Sequence, residues 1–272
     1  VPLLAITGTN GKSSTAFYTH QLLQQAGKRS FIGGNFGTAL SEMALHQNDF
    51  DIGVVEVSSY QMEFPNGFSP HSAVALNLTP DHLKRHGTME VYALIKRRIF
   101  AEQGIKQFSI VSKGEEALYP QNNAVQWWIG DLPGAILCDD MLQISTSRTH
   151  HSFCLDDIQL LGEHNKQNLM AACLLASTID IDISKLDINK VAPLEHRLEL
   201  ISSQDKRNWI NDSKATNIEA TMAAIAGIGK SQILLLGGAR IIGESTFGNW
   251  IGAVSLQFVI LLSEITVIPV II

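Results

Sequence analysis

The stretch Gly8-Thr9-Asn10-Gly11-Lys12-Ser13-Ser14 decides the fold of this chain. It follows an apolar run, 1–7, and opens a segment with helical spacing, 12–26. Glycines let a loop fold tightly and aim its N–H groups at phosphate oxygens, and the N-terminus of a helix adds partial positive charge. The sequence therefore predicts a strand, an anion-binding loop and a helix in that order.

The loop also carries side chains that suit a nucleotide. Lys12 can reach the β- and γ-phosphates, and Ser13 or Ser14 can offer a hydroxyl to Mg²⁺. The spacing departs from the common phosphate-binding loop, which has four residues between its glycines, because only two separate Gly8 from Gly11. Taken alone, the loop also fits an ordinary strand-to-helix turn with a surface lysine.

Outward from the loop, apolar runs alternate with helical segments. Further strands are predicted at 30–33, 51–57, 73–78 and 107–111. Helices are predicted at 88–103 and 165–179. This alternation predicts an α/β fold, with a central, mostly parallel sheet of the phosphate-loop type and flanking helices. The irregular pattern from 114 to 160 predicts a small antiparallel patch.

A second α/β unit is predicted to begin near 193–198, which divides the chain into an ATP-binding domain, 1–195, and a partial Rossmann-like domain, 196–272. Its predicted elements are strands at 198–203, 209–211 and 233–236, a turn at 204–206 and a helix at 216–225. The aliphatic tail, 254–272, predicts two buried strands, with a truncated or frame-shifted end as the alternative. Polar residues and a proline within it argue against a membrane span.

The composition narrows the classes of partner. The 272 residues carry a formal net charge of −6, so there is no electrostatic reason to expect nucleic acid. The three cysteines are scattered and form no CxxC pair, which argues against a disulfide framework or a zinc site and fits a reducing cytoplasm. The first residues lack the basic region and the length of a signal peptide.

Three polar residues occupy unexpected positions. Glu56 ends an apolar strand, at the edge where α/β folds bind ligands, and would need a metal ion or an ion pair as its partner. His82 follows the next strand and could bind a cation with Asp81 orienting it, although such a histidine is often a plain loop residue. Lys96 lies in the predicted helix 88–103, where a solvated cation is the ordinary interpretation.

Later polar segments are unremarkable one at a time. Asn165 and Asn168 share one face of a helix and could be cap residues. The segment 195–197 lies at the predicted domain boundary, and 211–217 places many polar groups between a strand and a helix. Their order along the chain is more informative than any one of them.

In this order the segments resemble the Mur ligase family, which has folylpolyglutamate synthetase as a relative. Residues 7–14 are similar to the nucleotide loop of the family. The runs 56–63 and 211–217 are similar to the member that adds D-glutamate, and the resemblance extends over roughly residues 3 to 240.

The resemblance implies ATP and Mg²⁺ as cofactors. The phosphates of ATP would be held by Gly8, Thr9, Asn10, Gly11, Lys12, Ser13 and Ser14. Ser13 and Glu56 would help to hold one Mg²⁺, and His82 a second. Lys96 would be carbamylated, which turns a cation into a carboxylate-like ligand between the metals. Lys12, Glu56, His82 and Lys96 are thus the implied catalytic residues.

The resemblance also implies three groups of contacts with the organic ligands. The residues that face UDP-N-acetylmuramoyl-L-alanine would be Asn35, Ser58 and Gln61. The further residues that contact the nucleotide would be Asn165, Asn168, Arg197 and Asp212. The residues that bind D-glutamate would be Lys214 and Thr216.

The implied activity is an ATP-dependent amide ligation through an acyl phosphate in peptidoglycan precursor synthesis, by a cytoplasmic monomer that binds no nucleic acid or membrane. The family's N-terminal domain, which grips UDP, is expected before Val1, and its final segment finds no match after Gly238. We therefore expect a fragment, or a reading frame disturbed after about residue 240. Another Mur-type or folylpolyglutamate-type ligase and a non-catalytic nucleotide-binding module stay open as alternatives.

Overall fold

The structure, a computed structural model, describes residues 1–201, 208–215, 218–228, 232–237, 256–262 and 270–271. The chain divides into two compact units. The first unit consists of 1–159 and 165–192, and the second of 160–164 and 193–272.

The first unit is built on a nine-stranded sheet. In chain order its strands are β1 (Leu3–Thr7), β2 (Ser30–Gly34), β3 (Ile52–Glu56), β4 (Ser72–Ala75), β5 (Phe108–Ser112), β6 (Val125–Ile129), β7 (Gly134–Cys138), β8 (Met141–Ser145) and β9 (His150–Cys154). Their spatial order is β2-β3-β1-β4-β5-β6-β7-β8-β9. Neighbours pair in parallel as far as β7, and β7-β8-β9 pair antiparallel. The predicted parallel sheet and antiparallel patch are confirmed, and they form one continuous sheet.

α-Helices follow the strands β1, β2, β4 and β9. They are α1 (Lys12–Gln25), α2 (Leu40–Leu45), α3 (Leu83–His86), α4 (Met89–Arg97) and α5 (Glu163–Ser177). The helix predicted at 88–103 was too long, since α4 ends at Arg97 and gives way to a 3₁₀ turn, Arg98–Phe100. Gln103 is buried and donates to the carbonyls of Pro70 and Phe108, so the chain leaves the helix early to enter β5.

The core beneath α4 explains how that helix reaches the sheet. Successive residues of a strand point to opposite faces, so Ala5, Val55 and Ala75 share the face that packs against Ile99 and Phe100. Ile99 is fully buried and Phe100 nearly so, and burying a side chain of this size contributes about 1.5–3 kcal/mol. This packing brings the C-terminal half of α4 against the strand ends that follow β1 and β4.

The second unit holds a five-stranded mixed sheet among its described residues. Its elements are β10 (Glu199–Ile201), β11 (Trp209–Asn211), α6 (Ile218–Ile228), β12 (Gln232–Gly237), β13 (Leu256–Leu262) and β14 (Val270–Ile271). The strand order is β10-β11-β14-β12-β13, in which only β12 and β13 pair in parallel. The two strands predicted in the aliphatic tail are confirmed as strands, whereas the predicted turn at 204–206 lies outside the described residues.

No helix in the part of the chain that the structure describes is long and apolar enough to cross a membrane.

Candidate functional site

The glycine loop is fastened to the segment that follows β4. The backbone N–H of Thr9 donates to the carbonyl of Asn77 (3.0 Å), and that of Asn10 donates to Asn77 Oδ1 (2.8 Å). Asn77 Nδ2 donates in return to the carbonyl of Asn10 (3.1 Å), and the N–H of Thr79 donates to Thr9 Oγ1 (3.0 Å). These hydrogen bonds hold the loop in shape.

Lys12 and Ser13 carry the chemistry at the start of α1. Lys12 Nζ donates to the carbonyls of Gly8 (3.0 Å) and Thr9 (2.7 Å), so its ammonium group lies against the loop. Ser13 Oγ donates to Glu56 Oε2 (2.6 Å), whereas Ser14 is buried within the helix. The hydroxyl that meets a carboxylate is thus that of Ser13.

Glu56 ends β3 as a buried carboxylate, with only 3% of its surface exposed. Besides Ser13, it meets Asn35, whose Nδ2 donates to Glu56 Oε1 (2.9 Å). The backbone also joins the two residues, because the N–H of Asn35 donates to the carbonyl of Glu56 (2.9 Å). Asn35 and Glu56 therefore lie at the carboxyl ends of the paired strands β2 and β3, and Glu56 is next to the loop that follows β1.

Lys96 is not the solvated cation of an ordinary helix face. Lys96 is only 2% exposed. Its Nζ donates to the carbonyl of Gly8 (2.7 Å) and lies 4.7 Å from the ring centroid of Tyr92. Burial, and after it the charge of Lys12, lower the pKa of Lys96 to about 7. Near neutral pH a sizeable share of this amine is therefore uncharged, which is the form that can react with carbon dioxide.

His82 begins α3 with a left-handed backbone, at a φ of 55°. Asp81 orients it, since Asp81 Oδ1 accepts from the backbone N–H of His82 (2.8 Å) and lies 3.6 Å from the ring nitrogen Nδ1. Tyr60 Oη is 3.4 Å from the same ring nitrogen. The imidazole remains 44% exposed, so it is open to a ligand, and its role as a metal ligand stays a prediction.

Asn165 and Asn168 lie within the first turns of α5 and are not caps. Tyr18 Oη donates to Asn165 Oδ1 (3.1 Å), and Asn168 Nδ2 lies 3.3 Å from the same oxygen. Gly11 has a φ of +85°, and a Cβ atom added there would lie 2.3 Å from Asn168 Oδ1. The fold thus seats Asn168 directly on the glycine loop, 157 residues further along the chain.

Ser58 and Gln61 form a turn immediately after β3. Gln61 Oε1 accepts from the N–H of Ser58 (2.8 Å) and from its Oγ (3.0 Å). Gln61 is exposed, as is Asn35 after the neighbouring strand β2. The three residues predicted to face the substrate therefore follow two paired strands at the same edge of the sheet.

The remaining predicted residues belong to the second unit. Asp212 is buried, accepts from the N–H of Leu198 (3.2 Å), and has a pKa that burial raises to about 6. The positive charge of Arg197, which precedes Leu198, lowers the pKa of Asp212 and offsets part of that rise. The backbone N–H of Lys214 donates to the carbonyl of His196 (3.2 Å). Thr216 lies outside the described residues.

The oxygen donors at the loop suit a hard divalent cation. The Ser13 hydroxyl and the Glu56 carboxylate lie side by side next to the phosphate loop, and Mg²⁺ prefers oxygen ligands of this kind together with phosphate. Within the described ranges, no three or more His, Cys, Asp or Glu side chains gather as a metal cluster. The residues therefore fit a cation that completes its shell with water and phosphate, and would not cage one by themselves.

Three residues beside this site had no role predicted from the sequence: Ser59, His86 and Tyr92. Tyr92 had one signal in the sequence, because it lies four residues before Lys96 and hence on the same helix face. His86 and Ser59 had none, since burial of a histidine or a serine depends on contacts between distant segments.

Comparison with known proteins shows the family of this chain. The Mur ligase middle domain matches residues 6–176, so the chain belongs to the Mur ligase family, as the resemblance indicated. The UDP-N-acetylmuramoylalanine–D-glutamate ligase of Natranaerobius thermophilus is 37% identical over 248 residues, which cover 87% of this chain and 53% of that protein. The ligase of the same name from Myxococcus xanthus is 35% identical, covering 88% and 55%. The chain thus spans about half the length of the curated relatives it matches.

Solved structures share the fold. The MurF of Acinetobacter baumannii superposes with a TM-score of 0.74 at 18% identity, covering 97% of this chain and 64% of that one. The MurF of Thermotoga maritima in complex with ADP gives 0.71 at 16% identity, covering 97% and 70%. A complex of folylpolyglutamate synthetase with AMPPCP and folate gives 0.66 at 16% identity, covering 96% and 79%.

Proposed function

We propose that this chain is the ATP-dependent catalytic core of a ligase that joins D-glutamate to UDP-N-acetylmuramoyl-L-alanine in peptidoglycan precursor synthesis. The observation that carries the proposal is the buried Glu56 carboxylate, bonded to Ser13 directly beside the loop lysine Lys12. The names of the relatives support the choice of substrates, because the two described above are D-glutamate ligases at 35–37% identity.

ATP binding is the first part of the proposal. The N–H groups of residues 8–14 and the Lys12 ammonium would hold the phosphates, which suits a loop at a helix N-terminus. Asn168 lies against Gly11 and Asn165 lies next to it, so both are proposed to meet the nucleotide beyond its phosphates. Arg197 and Asp212 of the second unit are proposed as further ATP contacts.

Ser13 and Glu56 are proposed to hold one Mg²⁺, and His82 together with carbamylated Lys96 a second. When bound, Mg²⁺ would neutralise charge between the substrate carboxylate and the γ-phosphate. The lowered pKa of Lys96 favours carbamylation, because only the uncharged amine reacts with carbon dioxide. Asn35, besides facing the substrate, would keep the Glu56 carboxylate in place through its hydrogen bond.

The reaction follows from charge. The alanyl carboxylate of the first substrate would attack the γ-phosphorus and release ADP. The positive charge of Lys12 would reduce the repulsion between the carboxylate and the γ-phosphate. The amine of D-glutamate would then attack the carbonyl carbon of the acyl phosphate, and phosphate would leave as the amide forms. Ser58 and Gln61 are proposed to orient the first substrate, and Lys214 and Thr216 to bind the carboxylates of D-glutamate.

The test is phosphate release by the purified protein with ATP, Mg²⁺ and both substrates, followed by omission of each substrate in turn. We expect ATP binding by this chain, release that requires both substrates when the full-length gene product is assayed, and size-exclusion chromatography that shows a monomer. L-alanine, diaminopimelate, D-alanyl-D-alanine and folate with L-glutamate serve as alternative substrates. Release with one of these and none with D-glutamate would contradict the substrate assignment. Loss of ATP binding itself, measured by calorimetry, would contradict the whole proposal.

A further inference from the structure

His86 is a buried histidine without a role in the proposed reaction. Its side chain is 1% exposed, and its Nε2 lies 3.0 Å from the hydroxyl of Ser59. Its Nδ1 lies 3.8 Å from Glu63 Oε1, a carboxylate that Arg85 already holds through two hydrogen bonds. Burial lowers the pKa of His86, so its ring is neutral near neutral pH.

The ring of His86 lies against the ring of Tyr92. The two planes are 19° apart and the centroids 5.2 Å apart, which is a stacked pair. Ser59 fixes the other side of the imidazole, because the hydrogen bond to Nε2 leaves the ring little freedom to turn. The position of the Tyr92 ring in α4 is thus tied to the turn that follows β3.

Tyr92 in turn contacts two groups of the proposed site. Its hydroxyl lies 3.3 Å from Thr9 Oγ1 in the phosphate loop, and its ring lies below Lys96 Nζ at 4.7 Å. Thr9 Oγ1 donates to the carbonyl of Thr79 (3.2 Å), so the proton between Thr9 and Tyr92 comes from the tyrosine. Burial raises the pKa of Tyr92 to about 12, which keeps the phenol protonated as this donor.

We propose that His86, fixed by Ser59, is a positioning residue that holds the Tyr92 ring and through it sets the geometry of Thr9 and Lys96 at the phosphate loop. The consequence for the proposed ATP site depends on the proposed function, whereas the hold on Tyr92 does not. His86 touches neither nucleotide nor metal in this account. Its ring also lies against that of Tyr60, with the centroids 5.6 Å apart, so double variants with Tyr92 are needed to isolate the effect that passes through Tyr92.

The test combines replacements at both residues. His86→Ala removes the stacked ring, His86→Phe keeps a ring without the hydrogen bond, and Ser59→Ala frees the imidazole. Arg85→Ala is the matched control, since Arg85 neighbours His86 and bonds to Glu63 but is not stacked on Tyr92. Each change is made with and without Tyr92→Leu, and ATP affinity with Mg²⁺ is measured by calorimetry.

We expect His86→Ala to weaken ATP binding about 2- to 12-fold, the range that corresponds to an aromatic pair. His86→Phe should restore most of the loss, Ser59→Ala should show a smaller loss, and Arg85→Ala none. In the Tyr92→Leu background, the effect of His86→Ala on affinity should be much smaller than in the wild type. Additive losses in the double variant would overturn the proposal, because His86 would then act by another route.

A second measurement does not depend on ATP. The chain has four tyrosines, so tyrosine labelled with ¹³C at Cζ gives few signals, and Tyr92→Phe assigns the relevant one. The Cζ chemical shift of Tyr92 at neutral pH should move in His86→Ala, because the stacked ring that fixes the phenol is lost, and stay unchanged in Arg85→Ala. An unchanged Tyr92 signal in His86→Ala would refute the proposal. If the wild type failed to bind ATP, the proposed function would fall while this measurement still decided the role of His86.

Discussion

Two regions of one sheet differ sharply in what their polar residues do. In the parallel region, β1, β3 and β4 are buried on both faces, and the polar residues at their carboxyl ends contact one another or the phosphate loop. In the antiparallel region, β8 and β9 alternate between buried and exposed residues, and their polar side chains face solvent. A polar residue is therefore informative where the strand around it is buried, because burial without a partner would be costly.

Replacing one carboxylate from each region should give the largest contrast. We expect Glu56→Gln to lower phosphate release roughly 10²- to 10³-fold, the usual size for loss of one preorganised electrostatic partner. Asp140→Asn, at the exposed tip between β7 and β8, should leave the rate unchanged, since the Asp140 side chain is 64% exposed and an ion pair of an exposed carboxylate contributes little. Equal effects of the two changes on turnover would erase the functional distinction between the regions.

A core replacement in the antiparallel region should separate stability from binding. Leu142 in β8 is fully buried, so Leu142→Ala should lower the free energy of unfolding by about 2–5 kcal/mol. ATP affinity, measured well below the melting temperature, should stay unchanged. Urea unfolding and calorimetry on the same preparation check both statements, and a large loss of affinity would show that this region takes part in the site.

The buried amine of the parallel region should make stability depend on pH. The pKa of Lys96 is about 7 in the fold and 10.5 as its ordinary value, so the unfolded chain binds more protons between these limits. The contribution of Lys96 to the free energy of unfolding should therefore rise with pH across that window, by about 1.4 kcal/mol per unit, and stay constant below pH 7. Lys96→Met should remove this rise. Urea unfolding at pH 7.5 and 9 in buffers free of carbon dioxide compares the two proteins, and parallel pH profiles would speak against a depressed pKa.

Two glycines allow the smallest comparison. Gly11 and Gly27 both have positive φ, at +85° and +72°, but only at Gly11 would a Cβ atom meet another residue within 4 Å. Gly27→Ala should therefore cost only the backbone strain, roughly 1–2 kcal/mol, without an effect on ATP binding. Gly11→Ala should destabilise by somewhat more and also weaken ATP binding, because Asn168 must move. Melting temperatures with and without ATP distinguish the two variants. Equal melting temperatures and equal shifts by ATP would mean that Asn168 moves away from the added Cβ atom at no cost.

The elements of the parallel region were predictable because their signals are local. Apolar runs, a glycine loop and helical spacing predicted β1 to β5, α1 and α5 within a few residues. The region from β6 to β9 was less predictable, and β6 and β9 were not singled out, because short strands with alternating burial resemble irregular structure. The length of α4 was overestimated because Gln103 fits the helical spacing, whereas in the structure its side chain donates to backbone carbonyls outside the helix.

Among the site residues, the glycine loop and the polar segments that follow it along the chain could be named from the sequence. Their roles stay predictions. The pairing of Ser13 with Glu56 and the clamp from Asn77 required the structure, because strand order decides which carboxyl ends are neighbours. His86 and Tyr92 show the limit most clearly. Nothing local marks a histidine as buried when the groups that bury it come from other segments.

The sequence by itself determined the family, the glycine loop and the succession of strands and helices, since each depends on residues close together in the chain. Only the tertiary structure decided the chemistry of Lys96. Its Nζ reaches the carbonyl of Gly8, 88 residues away, because α4 packs its apolar face onto the sheet. That burial turns an ordinary surface cation into an amine with a pKa of about 7, and no neighbour in the sequence could have done so.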